Sequence, residues 1–232
     1  MSLHLNHDLD EARVSLLKLS GMVEDMIALA VTSLMQRQGI MASDVIRRDS
    51  DVDRAEVRIE EDCLKMLALH QPVAADLRRV TTMMKVNNDL ERMADLACNI
   101  AQRADSLCPH PEFPIPEGIN EMAGMVTKMV RMSLDAFVQN DANMARSVIL
   151  MDDPLDAKNV QVIGVLADAI RRDSSAVEVA LHAFSASRHL EQIGDLAVSI
   201  AEDVIYMVDG VIIRHRQVFQ RDLPENPTRP SP

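Results

Sequence analysis

Aromatic side chains are almost missing from this sequence: its 232 residues include one Tyr, four Phe and no Trp. The core must therefore be aliphatic, built from Leu, Ile, Val, Ala and 16 Met, the compact or unbranched side chains that fill gaps between helices. Glycine is scarce as well, with 7 residues. Strands draw on β-branched and aromatic residues set between Gly-rich turns, so this scarcity points away from a β fold. The three cysteines, Cys63, Cys98 and Cys108, are an odd number without framework spacing. That argues against a disulfide scaffold and for a reducing compartment. Cys63 and Cys98 sit in apolar helical stretches and read as small core residues. No apolar run reaches the ~18 residues needed to cross a bilayer. From Met1 to Asp10 the chain carries His and Asp where a signal peptide carries basic and then apolar residues. A cytoplasmic location is the expectation.

What is present is a hydrophobic content of 47% and a formal net charge of −12. The first suffices for one large domain or two ordinary ones. The second repels phosphate backbones and anionic headgroups. Direct binding to nucleic acid is not expected, and membrane contact is expected only through partners. Acidic excess suits protein partners and cations, and solubility alone explains it equally well.

Helical periodicity runs through the chain. A first helix fits Asp8 to Gln38, with Asp8 and Glu11 at capping-box spacing and Gly39 placed to end it. A second fits Ser43 to Leu69 and a third Pro72 to Leu107. Four prolines between Cys108 and Pro116 cannot continue a helix, because each lacks an N–H and clashes with the preceding turn. Helices then fit Gly118 to Gln139, Asp141 to Arg172 with a break or fresh start at Pro154, and Ser175 to Val208, where Ser175 and Glu178 have capping-box spacing. Met122, Met125, Met129 and Met132 fall at helical spacing and read as core or interface. The stretch from Asp222 to Pro232 is too polar and proline-rich to pack.

The two halves repeat each other. Leu90, Glu91, Asp95, Leu96, Ala97, Ile100 and Ala101 match Leu190, Glu191, Asp195, Leu196, Ala197, Ile200 and Ala201 without gaps. Upstream, Val45, Ile46, Asp49 and Asp53 match Val148, Ile149, Asp152 and Asp156. Shared helical period alone would align apolar residues; acids at fixed offsets need duplication. The expected fold is all-α: two tandem homologous three-helix bundles with pseudo-twofold repeat symmetry. The first repeat spans 1–107, a proline-rich linker 108–117, the second repeat 118–212 and a disordered tail 213–232.

Each half thus holds two acidic pairs spaced i, i+4: Asp49/Asp53 and Glu91/Asp95, then Asp152/Asp156 and Glu191/Asp195. Residues four apart lie about 40° apart around a helix, so each pair shares a face. On the third helix that face is nearly opposite the stripe of Leu90, Met93, Ala97 and Ile100, so the acids face outward or line a groove. Like charges at this spacing destabilise a helix by a few tenths of a kcal/mol, and a cation would remove that cost. Carboxylates suit Mg, Mn or Ca, and also hold iron and zinc. A solvated face explains any single pair, whereas retention of both pairs in both halves is what a cation site explains. No Glu-x-x-His pair, P-loop, dinucleotide fingerprint, nucleophile elbow or His-Glu-x-x-His is present. The expectation is a protein without a reaction of its own.

Leu69-His-Gln-Pro72-Val-Ala-Ala-Asp76-Leu77-Arg78 and the run from Asn88 through Leu90, Glu91, Arg92 and Asp95 to Ala101 resemble the first repeat of the PhoU family. Ser187 to Asp195, with Ile200, Ala201, Glu202, Asp203 and Tyr206, resembles its second. The likeness covers nearly the whole chain outside the tail. It implies two symmetric three-helix bundles whose acidic motifs hold multinuclear iron or zinc clusters, with Mg or Mn as alternatives. Asp49, Asp53, Glu91 and Asp95 would hold one, and Asp152, Asp156, Glu191 and Asp195 the other. It also implies negative regulation of phosphate uptake and starvation signalling, by coupling the phosphate transporter ATPase to a sensor histidine kinase, with a homodimer among the assemblies it allows. A helical protein that stores or senses metal is the alternative. The pattern is broken at Ala94, Gln192 and Ser199, where Gly, Arg and Asn are usual. Gln192 removes a counter-charge beside Glu191 and Asp195, and Pro154 falls between Asp152 and Asp156, so the second site is expected to be the less regular.

Overall fold

The computed structural model describes residues 3–213. The expected tail over 213–232 therefore lies outside the described residues, apart from residue 213. The first half is three long helices, α1 (Leu3–Gln36), α2 (Gly39–His70) and α3 (Ala74–Leu107). The second half repeats them as α4 (Gly118–Gln139), a second leg split into α5 (Ala142–Ile149) and α6 (Asp152–Arg172), and α7 (Val177–Asp209). Both halves are three-layered helical bundles, and no strand occurs among the described residues.

Each helix buries one stripe, as 3.6-residue periodicity dictates. Leu16, Leu19, Val23, Met26, Ala30 and Leu34 of α1 are almost fully buried, as are Leu90, Met93, Ala97 and Ile100 of α3. On α4, Met122 and Met129 are fully buried, and Met125 and Met132 pack at the edge of the same core. The two halves do not have separate cores. One hydrophobic cluster runs through both, and α3 packs on α7 more extensively than any other two helices pack together. The two central helices are thus the same element of each repeat, back to back about the pseudo-twofold axis.

Helix ends differ from expectation in instructive ways. Asp8 does not cap α1, which begins earlier; its carboxylate accepts a 2.7 Å hydrogen bond from His70 Nε2 and ties the end of α2 to α1. Gly39 opens α2, and Arg37, at φ 55°, makes the preceding turn. Ser175 does not cap α7; it lies in a 3-10 turn, Ser174–Ala176, that leads into α7 and is capped by Asp173, whose carboxylate accepts from the Ser175 backbone N–H at 2.9 Å. After α4, Asn140 takes the left-handed conformation and Asp141 caps α5 by accepting from the N–H groups of Asn143 and Met144. The break in the second leg falls at Leu150 and Met151, so Pro154 sits in the first turn of α6, where its missing N–H is not needed.

The segment between the halves is packed. Phe113 is buried, and the Arg37 guanidinium donates to the carbonyls of Leu107 (2.9 Å), His110 (2.7 Å) and Phe113. At the end of α7, Gly210 takes φ 71°, and Arg78 crosses beside it to donate to the Met207 carbonyl at 3.3 Å. The Arg78 side chain is therefore a tie between the halves.

Candidate metal-binding acidic clusters

The eight acids resolve into two clusters, one per half. In the first, α2 carries Asp49 and Asp53 on the face toward α3, and α3 carries Glu91 and Asp95. Asp49 and Glu91 are half-buried, while Asp53 and Asp95 are exposed. In the second, Asp152 and Glu191 are half-buried, and Asp156 and Asp195 exposed. The repeat is therefore kept in burial as well as in sequence.

Electrostatics shows that the acids of a cluster face one another. Burial, then the charges of Asp95, Asp53, Glu56 and Asp49, raise the Glu91 carboxyl above its ordinary range. Burial with Asp49 and Asp53 does the same to Asp95. In the second half Asp152 is raised by burial, Asp156, Asp153 and Glu191. Asp195 is pushed up to about 6 by burial together with Glu191, Asp152 and Asp156, with Arg188 opposing. Such shifts arise where like charges share a poorly solvated site.

Two participants escaped the sequence reading. Glu56, three residues after Asp53, joins the first cluster: burial, Glu60 and Asp53 raise its carboxyl. Asn87 of α3 donates from Nδ2 to Glu56 Oε1 at 3.0 Å and to the Glu56 carbonyl at 2.9 Å. Arg188, three residues before Glu191, donates to Glu191 Oε1 at 2.5 Å. The counter-charge removed by Gln192 is thus supplied from the preceding turn, and Gln192 instead accepts from His189 Nδ1 at 3.2 Å. Spacing of i, i+3 was the available signal for both residues. Pro154 does not disturb Asp152 and Asp156, which share the first turns of one regular helix.

Across the pseudo-twofold axis the clusters open into one groove of about 530 Å³, lined by Arg92, Asp95, Leu96 and Asn99 of α3 and by Gln192, Asp195, Leu196 and Ser199 of α7. The two walls are the same four positions of each repeat. Gly194 lets α6 approach α7: a Cβ there would stand 2.2 Å from Leu155 Cδ2. Ala94 holds the equivalent, fully buried position in the first half.

The donor set fits hard or borderline cations. Every one of the eight residues offers carboxylate oxygen, and Asp152 Oδ1 and Glu191 Oε2 are buried with no hydrogen-bond partner among the described residues. Such oxygens are costly unless something positive meets them. Among the described residues, no three His, Cys, Asp or Glu side chains stand together as a group that could hold a metal ion. The fit is one of charge and donor chemistry along a face. Cys98, next to the first cluster, is buried; burial and Asp49 push its thiol up to about 12, so it is protonated.

Comparison with known proteins places both repeats. The model of the PhoU domain matches residues 16–104 and again 119–204. The chain is 37% identical over 218 residues to the phosphate-specific transport system accessory protein PhoU homolog of Pseudomonas putida, covering 93% of this chain and 84% of that one. Its homolog from Aquifex aeolicus is 35% identical, covering 92% and 97%. The crystal structure of PhoU from Pseudomonas aeruginosa superposes with a TM-score of 0.84 at 36% identity, covering 89% of this chain and 99% of that one. The phosphate transport system regulatory protein PhoU from Streptococcus pneumoniae gives a TM-score of 0.84 at 25% identity, covering 90% and 99%. With its domain matched in both halves and its relatives similar along nearly the whole length, this chain belongs to the PhoU family.

Proposed function

We propose that this protein is a negative regulator of phosphate uptake and phosphate-starvation signalling. It acts in the cytoplasm as an adaptor between the ATPase subunit of a phosphate transporter and a sensor histidine kinase, and carries no reaction of its own. The observation that carries the reading is likeness over nearly the full length, in both repeats, to proteins named as accessory to phosphate-specific transport. No described helix is long and apolar enough to cross a membrane, which suits docking on membrane partners from the aqueous side.

The acidic clusters are the part of the adaptor that would hold metal. Asp49, Asp53, Glu91 and Asp95 would hold one iron or zinc cluster and Asp152, Asp156, Glu191 and Asp195 the other, with manganese or magnesium as alternatives. Bound metal would supply positive charge that offsets carboxylate repulsion. The chain's own contribution is to present these oxygens from two packed helices per half. The unpartnered buried oxygens of Asp152 and Glu191 support this.

The test is a phosphate-starvation reporter, such as secreted alkaline phosphatase, in a strain lacking the gene and grown with abundant phosphate. High activity that falls when the gene is restored is the expected result. An unchanged reporter, in a strain with no second copy, would remove the regulatory reading. Metal content that tracks supply would then favour a storage or sensing protein.

A further inference from the structure

Away from the acidic clusters, the two halves meet around a cavity of about 210 Å³. Its polar wall is Asn6, Asp10 and Arg13 of α1, Arg79 of α3, and Asn140, which caps the end of α4. Met83 of α3 and Phe137 of α4 give it an apolar floor. Sites for drug-sized ligands run to about 300–1,000 Å³, so this one suits a small ion.

Its charge is unlike that of the chain as a whole, which is −12. Three guanidiniums stand in or against the wall. Arg13 and Arg79 line it, and Arg78 donates to the carbonyl of Met207, another lining residue, at 3.3 Å. Two carboxylates face them: Asp10, in the wall, and Asp76, which pairs with Arg79 at 3.6 Å. Asp141, beside Asn140, is turned to the N–H groups of α5 that it caps, and Arg146 and Asp209 pair with each other at 2.7 Å. Arg13 is in no ion pair among the described residues, not even with Asp10 one turn back, and its Nε is buried without a hydrogen-bond partner. A half-buried guanidinium without an acceptor costs stability until one is supplied.

We propose that this cavity binds one inorganic phosphate ion. Arg13 and Arg79 supply forked N–H donors of the kind that match phosphate oxygens, and the Asn6 and Asn140 amides supply neutral ones. Asp10 is the discriminating group. Phosphate keeps a proton near neutral pH and sulfate does not, so a carboxylate in the wall accepts from the first and repels the second. The inference goes beyond the regulatory reading, which requires no ligand on this chain. Because the wall is drawn from both halves, a bound ion fastens α1 and α3 to the end of α4.

The experiment is a calorimetric titration of the chelator-stripped full chain, in phosphate-free buffer, with inorganic phosphate, sulfate and phosphoserine. Stripping ensures that no metal carries the anion. The wild type is expected to take up one phosphate per chain and to bind sulfate and phosphoserine at least about ten-fold more weakly. Arg13→Gln and Arg79→Gln each weaken phosphate about ten-fold or more. Asp10→Asn brings sulfate level with phosphate; Asp10 is exposed, so this variant tests the assignment even if an arginine variant fails to fold, which helical circular dichroism reports. Lys128→Gln, an exposed charge on α4 outside the cavity, leaves binding unchanged. No phosphate uptake by the wild type, or uptake indifferent to both arginines, overturns the proposal. So does a wild type that binds sulfate as well as phosphate, or one that binds phosphoserine more tightly. A chain that represses the starvation reporter but binds no phosphate keeps the regulatory reading and loses this one.

Discussion

At Asp195, burial and the carboxylates of Glu191, Asp152 and Asp156 push the acid up to about 6, against the partial relief of Arg188. The unfolded carboxyl titrates near its model value of 3.8, so the folded chain binds this proton more readily. The sign follows: in the metal-free protein, stability through this group rises as pH falls from above about 6 toward 4, and is lost as pH rises through about 6. Asp195→Asn should therefore raise the Tm of the metal-free protein at pH about 8 and have little effect at pH about 4. Thermal melts at both pH values check this, and a difference independent of pH would count against it. Gly194 is the other sensitive residue. A Cβ there meets the buried Leu155, so Gly194→Val should cost about 1–3 kcal/mol by overpacking. Denaturant titration of the variant measures it.

At the scale of the elements, the helices were readable because their apolar residues keep one period for long stretches, and the acids were readable because i, i+4 spacing survives duplication. Helix ends were not readable. Asp8 looks like a cap, but Leu5 and Leu9 bury against the core and draw α1 back past it. Gly39 looks like a helix stop, but the turn is made at Arg37 instead. The role of Arg188 needed three dimensions: its i, i+3 spacing from Glu191 was visible in the sequence, but only the structure shows that it supplies the counter-charge that Gln192 removes. The proline-rich segment read as a linker, yet Arg37 holds it against α3 through three carbonyls. Arg37→Ala strips those acceptors of a charged donor and should cost about 2–3 kcal/mol. A smaller loss of stability in urea titration, below about 0.5 kcal/mol, would mean that water replaces the clamp without penalty.

For the whole molecule, the shared core and the extensive α3–α7 packing make the two repeats one cooperative body. Chemical unfolding followed by circular dichroism and by a probe in each half should give coincident single transitions, and two separated transitions would show independent bundles. The same arrangement sets both acidic clusters beside one axial groove, with Asp95 on one wall and Asp195 on the other. Under the proposed function, metal at either cluster would alter a surface that both halves share, and with it what that surface presents to a partner. The most direct measurement is the phosphate-starvation reporter in the deletion strain, complemented with wild type or with the variant Glu91→Gln, Asp95→Asn, Glu191→Gln, Asp195→Asn at matched protein level. Restored repression by wild type and its loss in the variant is the predicted result. Failure of the wild type to repress, or full repression by the variant, would contradict a regulator that works through these carboxylates.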